Sequence, residues 1–195
     1  GVGDREGALK MIREAVKILR GLASENEAAF NPELAMLLNN LSNQLAEVGD
    51  REGALDAIRE AVEIRRGLAS ENESAFNHDL AVSLNNLSCC LFETGGREGA
   101  LKAAWEAAGI YRGLAEMNPA VFNSELAGSL NNLSGYLSDM GDSEGALEAI
   151  QETVGVYRGL AEGDPAAFNP DLAMSLNNLS GCLSGVGDRG GALEA

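Results

Sequence analysis

The stretch LNNLSNQLAEVGDREGALDAI, Leu38–Ile58, decides the reading of this chain. LNNLS returns at Leu84, Leu130 and Leu176. GDREGAL at Gly49 is preceded by a copy at Gly3 and followed by GGREGAL at Gly95, GDSEGAL at Gly141 and GDRGGAL at Gly187. A Phe-Asn marker keeps step at Phe30, Phe76, Phe122 and Phe168. Each step, as from Leu38 to Leu84, is 46 residues, with no residue inserted or deleted between copies. Phase kept this strictly means that each copy is one structural unit stacked on the next.

Each copy reads as two helices. An Asn at position 31, 77, 123 or 169 can cap the first, followed by Pro32, His78, Ser124 or Pro170. Pro suits a first helical turn, where its missing N–H is not needed. Glu33, Asp79, Glu125 and Asp171 then set negative charge against the helix dipole. Gly49-Asp50 breaks the first helix and Asp50 caps the second. The spacing predicts helices near 4–24, 32–47, 50–71, 78–93, 96–117, 124–139, 142–163 and 170–185, with no strand.

The apolar positions carry the same period. At 100° per residue, Leu38, Leu41, Leu45 and Val48 share one side of a first helix. Ser42 sits among them, a small residue where two helices must approach closely. Ala54, Ala57, Ile58, Ala61, Val62 and Ile64 form the matching stripe on the second helix, with Ala54 opposite Ser42.

Composition excludes several function classes. The chain has 195 residues, with 14 Lys+Arg against 30 Asp+Glu and a net charge of −16. Phosphate binding needs a basic footprint, so nucleic acid is not an expected partner, nor is an anionic membrane surface. No apolar run is long enough to span a bilayer. Three cysteines, two of them adjacent (Cys89, Cys90 and Cys182), make a poor disulfide framework and point to a reducing cytoplasm. His78 is the one histidine, and no spacing suits zinc, so no metal, cofactor or catalytic residue is expected.

These residues resemble the tetratricopeptide repeat. The pattern of large residue, Leu, small residue, large residue, Ala, large residue, Ala reads here as Leu38, Leu41, Ser42, Leu45, Ala54, Ile58, Ala61. The next copies give Leu84, Leu87, Ser88, Leu91, Ala100, Ala104, Ala107, then Leu130, Leu133, Ser134, Leu137, Ala146, Ile150. Two departures stand out. The period is 46 rather than 34, and Arg66 or its equivalent replaces the closing Pro. The long repeats of kinesin light chain are similar in that respect. The resemblance implies an all-α, right-handed superhelical solenoid of antiparallel helix pairs. As one array it would comprise an opening second helix (1–30), full repeats at 31–76, 77–122 and 123–168, and a partial repeat at 169–195.

The resemblance also implies that first helices line a concave, peptide-binding face. Opposite the leucine stripe this chain places Asn39, Asn40 and Asn43, then Asn85 and Asn86, Asn131 and Asn132, Asn177 and Asn178. Asn is a mediocre helix former, so propensity does not account for a mid-helix pair in every copy. An amide offers donor and acceptor side by side, matching a peptide N–H and C=O. Variable neighbours such as Met36, Val82, Cys89, Phe92, Gly128 and Met174 would read side chains. Equally, the same amides could bond a neighbouring helix and be structural. The leading expectation is a non-catalytic scaffold for a neutral or basic peptide or protein. The other is a spacer or assembly module of a larger protein. Trp105 is expected to serve local packing, and His78 to be a solvated helix-start residue. The opening helix and the stub at Asp188–Ala195 suggest part of a longer array, able to associate head to tail.

Overall fold

The computed structural model describes residues 2–185 and 187. The expected stub at Asp188–Ala195 lies outside the described residues. Among the described residues eight α-helices follow one another: α1 (Val2–Ala23), α2 (Glu27–Glu47), α3 (Arg51–Glu71), α4 (Glu73–Glu93), α5 (Arg97–Met117), α6 (Pro119–Asp139), α7 (Ser143–Gly163) and α8 (Pro165–Gly185). No strand occurs among the described residues. The chain divides into two units, Gly1–Ala103 and Ala104–Ala195. In the first, α1 packs on α2, α2 on α3 and α3 on α4, and α4 also lies beside α2. In the second, α6 packs on α7 and α7 on α8.

Every first helix begins five residues before the expected start at 32, 78, 124 or 170. The caps are Asn26, Asn72, Asn118 and Asp164, not Asn31, Asn77, Asn123 and Asn169. Asn26 accepts the Ala29 N–H at 3.2 Å, Asn72 that of Ala75 at 3.2 Å, and Asp164 that of Ala167 at 3.1 Å. Asn118 is followed by Pro119 at the first helical position, where proline's fixed φ suits the helix. The Pro32 and Pro170 that look like helix starts lie inside α2 and α8. His78 is likewise in the second turn of α4, exposed, with Nδ1 3.7 Å from Asp79 Oδ1.

The turn between paired helices follows from two glycines. Gly49 has φ +83°, a left-handed value that only glycine adopts without strain. It lets the Asp50 N–H reach the Leu45 carbonyl at 2.9 Å and close α2. Asp50 then caps α3 by accepting the Gly53 N–H at 3.0 Å. A Cβ on Gly53 would sit 2.7 Å from Asp50 Oδ2, so a side chain there would oblige the capping carboxylate to turn. Asp142 and Gly145 repeat this arrangement, with a 2.9 Å bond. At Gly96, where the aspartate is missing, a Cβ on Gly99 would instead meet Leu91 Cδ1 at 3.2 Å.

The core forms where the two stripes meet. Leu38, Leu41, Leu45, Ala54, Ile58, Ala61 and Val62 are buried, as are Leu130, Leu133, Leu137, Ala146, Ile150 and Val154 in the second unit. Full burial of a Leu or Ile contributes about 1.5–3 kcal/mol. Ser42 does more than permit close approach: its hydroxyl donates to the Ala54 carbonyl at 2.8 Å, and Ser134 donates to Ala146 at the same distance. Val48 leaves the apolar stripe, 46% exposed, because it is the C-cap of α2.

Candidate peptide-binding face

The face of α2 opposite its leucines carries Met36, Asn39, Asn40, Asn43, Ala46 and Glu47. All are exposed except Asn39, which is buried. On α4, Asn85 and Asn86 are half-buried, while Cys89 and Phe92 are exposed. In the second unit Asn131 and Asn132 on α6 are half-buried, and Asn177 and Asn178 on α8 are exposed.

Asn39 is buried because the next first helix packs beside it. Its Oδ1 accepts the Asn86 amide at 3.0 Å and the Ser83 hydroxyl at 3.2 Å, both from α4. Asn131 Oδ1 accepts the Asn178 amide at 3.0 Å in the same way, linking α6 to α8. In each unit, therefore, the first amide of one pair receives the second amide of the next. Each bond uses one oxygen and one N–H. An amide has two acceptor sites and two N–H groups, so both members keep bonding capacity. The asparagines thus serve the helix contact while offering donors and acceptors on the same face.

A buried cation adjoins this row. Arg65 on α3 is 6% exposed, and its Nη1 donates to the Asp79 carbonyl at 2.6 Å and to Ser83 Oγ at 2.5 Å. Tyr111 and Tyr157 occupy the same repeat position, and both are buried. Burial raises the Tyr157 pKa above its ordinary value, and the charge of Asp171 adds to this. Arg65 was no part of the sequence reading. The signal was present, since a lone Arg stands where two copies have Tyr.

The remaining candidates are the cysteines, of which Cys89 lies on this face, and Trp105. Cys89 and Cys90 are reduced thiols, as is Cys182. Cys90 is half-buried with Sγ 3.7 Å from Ser42 Oγ, and burial pushes its pKa up. Trp105, expected in local packing, is 47% exposed. Among the described residues no group of His, Cys, Asp and Glu could hold a metal ion, and no helix is long and apolar enough to cross a membrane.

Second helices are joined by ion pairs. Arg20 on α1 forks onto Glu60 on α3, with Nε 2.9 Å from Oε1 and Nη2 against Oε2. Arg112 on α5 holds Glu152 on α7 the same way, at 2.9 and 2.7 Å. The arginine that displaces the closing proline is thus a contact between successive second helices within each unit.

Residues 34–72 and 126–164 match the family model of the tetratricopeptide repeat. Among solved structures the chain is similar to nearly identical TPR-like repeats assigned to a kinesin light chain of Podosopora anserina. The TM-score is 0.66 at 14% identity, over 99% of this chain and 90% of that one. It is similar to MamA, with a TM-score of 0.60 at 15% identity, over 100% and 90% of the two chains. BtubC (BKLC) from P. vanneervenii gives 0.55 at 19% identity, over 97% and 87%. No curated protein matches by sequence. Consecutive helix pairs, a Gly-Asp turn, the small residue at Ser42 bonded to Ala54 and these matches agree: residues 34–72 and 126–164 match the tetratricopeptide-repeat model, and the chain has a TPR-like helical fold similar to kinesin-light-chain-type repeats, with a period of 46 residues.

Proposed function

We propose that the chain is a non-catalytic interaction scaffold that binds an extended peptide or protein segment along the asparagine-bearing face of its first helices. The observation that carries this reading is the exposed row on α2, where Asn40 and Asn43 stand beside the Asn39–Asn86 bond and next to the exposed Met36. Amides on such a row can bond a peptide backbone whatever its sequence, and the apolar neighbours can select side chains. The family's general use as an interaction scaffold supports the coarser part of this reading. A net charge of −16 favours a neutral or basic partner and quickens its encounter at low salt. Three cysteines, two of them adjacent, make a poor disulfide framework and favour a reducing compartment such as the cytoplasm.

The test is selection of peptides from a displayed random dodecamer library on the wild-type chain, followed by titration of Asn40→Ala/Asn43→Ala. Loss of both amides is expected to weaken selected peptides about tenfold or more, at roughly 1 kcal/mol or more per bond, while the thermal midpoint holds. Peptides that bind this variant as tightly as wild type, and compete instead with labels on second helices, would refute the assignment.

A further inference from the structure

The bonds around Asn39 have a fixed sense. A guanidinium can only donate, so both bonds from Arg65 Nη1 are donations. The Ser83 hydroxyl has one proton. With Arg65 donating to its oxygen, that proton is directed to Asn39 Oδ1. The same oxygen takes an N–H of Asn86. Turning Asn39 and Asn86 over together would keep their mutual bond but leave the Ser83 proton facing an N–H instead of an oxygen. Ser83 is fully buried, so water cannot relieve that conflict. Asn39 is therefore held oxygen inward, and its own two N–H groups have no acceptor among the described residues. They are not sealed from solvent either, since Asn39 Nδ2 is not one of the buried atoms lacking a partner.

The matching place in the second unit is built differently. Tyr157 stands at the Arg65 position, and Ser175, at the Ser83 position, donates to the Asp171 carbonyl of its own helix at 2.8 Å. Among the described residues, Asn131 receives only the Asn178 amide there. That pair can exchange donor and acceptor by turning both amides together, with no donor left facing a donor.

We propose that Arg65 is a positioning residue that fixes Asn39 as a hydrogen-bond donor on the open face, so that this step of the array takes a carbonyl oxygen of an extended peptide. The Asn131–Asn178 step can present either sense. The inference rests on the peptide-binding reading above and adds the polarity of one position within it.

Two variants of the full chain test it. Asn39→Asp keeps an oxygen for Ser83 and Asn86 but has no N–H to offer. Arg65→Tyr installs the residue found at positions 111 and 157, and Arg65→Lys restores a donor. In side-chain amide NMR spectra without ligand, the Asn39 signals should move in Arg65→Tyr and return towards wild type in Arg65→Lys, with Asn131 unmoved in both. Against dodecamers selected on wild type, Asn39→Asp should bind about tenfold more weakly at an unchanged thermal midpoint. Arg65→Tyr should lose part of that affinity and Arg65→Lys regain it. If Asn39→Asp binds as wild type while Asn40→Ala/Asn43→Ala is weakened, the Arg65 proposal fails and the peptide-binding reading stands. If neither variant weakens any selected peptide, both fail. Asn39 signals unmoved by Arg65→Tyr would overturn the positioning role whatever the peptides do.

Discussion

Asn39 Oδ1 receives two bonds from α4, so Asn39→Ala strips the acceptor from both the buried Ser83 hydroxyl and the Asn86 amide. The expected loss is about 1–3 kcal/mol, because a buried donor is left unsatisfied. The exposed Asn40→Ala should stay within about 0.5 kcal/mol of wild type. Urea midpoints of the two variants check the contrast; equal midpoints would mean that the amide contact contributes nothing. Much of this site is legible in one helix. The period puts Ser42 among the leucines, and the same register brings it to Ala54. Asn39 is not legible in that way. Its burial depends on how closely α4 lies beside α2, which the pattern of α2 alone does not encode. Arg65 is hidden for a related reason: a buried cation looks like any surface arginine until its neighbours Asp79 and Ser83 are placed.

At the scale of the element, the number of helices, their pairing and the turn inside each pair read directly from the Gly-Asp marker. The starts of the first helices do not. Asn31-Pro32 and Asn118-Pro119 are both good capping dipeptides, and only packing chooses between them. In α2 the chain starts at Asn26, so Pro32 falls where its missing N–H forfeits a bond to the Ala28 carbonyl. Pro32→Ala should therefore raise the thermal midpoint, as should Pro170→Ala in α8. A fall in both would show that proline's restriction of the unfolded chain outweighs the lost bond. Between second helices, Arg112→Ala removes the forked pair with Glu152, which is more than a third exposed on both sides. The cost should be about 0.2–1 kcal/mol and should shrink with added salt. A loss independent of salt would point instead to the packing of the arginine stem.

At the scale of the whole molecule, alkaline pH should weaken the fold. Tyr157 and Cys90 hold their protons more tightly folded than unfolded. The unfolded chain releases them first, near about 8.5 for the thiol and about 10 for the phenol. Their contribution is complete below those values and falls as pH rises through the raised folded values. Urea midpoints followed from neutral into alkaline buffer should decline, and Tyr157→Phe should flatten the upper part of the decline. An unchanged slope in that variant would remove Tyr157 from the account. The ladder of contacts has a genetic consequence as well. Asn39 meets Asn86 and Arg20 meets Glu60, so contacts join positions at a fixed offset from one copy to the next. Excising residues 52–97 would join Arg51 to Glu98 and rebuild the same turn sequence. Asn132 and Glu106 would then stand where Asn86 and Glu60 had been. Such a chain should still unfold in one helical transition, at a lower temperature, as circular dichroism would record. Losing a single residue from mid-helix would instead turn every later side chain on that helix off its face. Unequal recombination between copies is therefore the cheapest way for such a gene to change length, and the ancestry of these copies should be written in whole repeats.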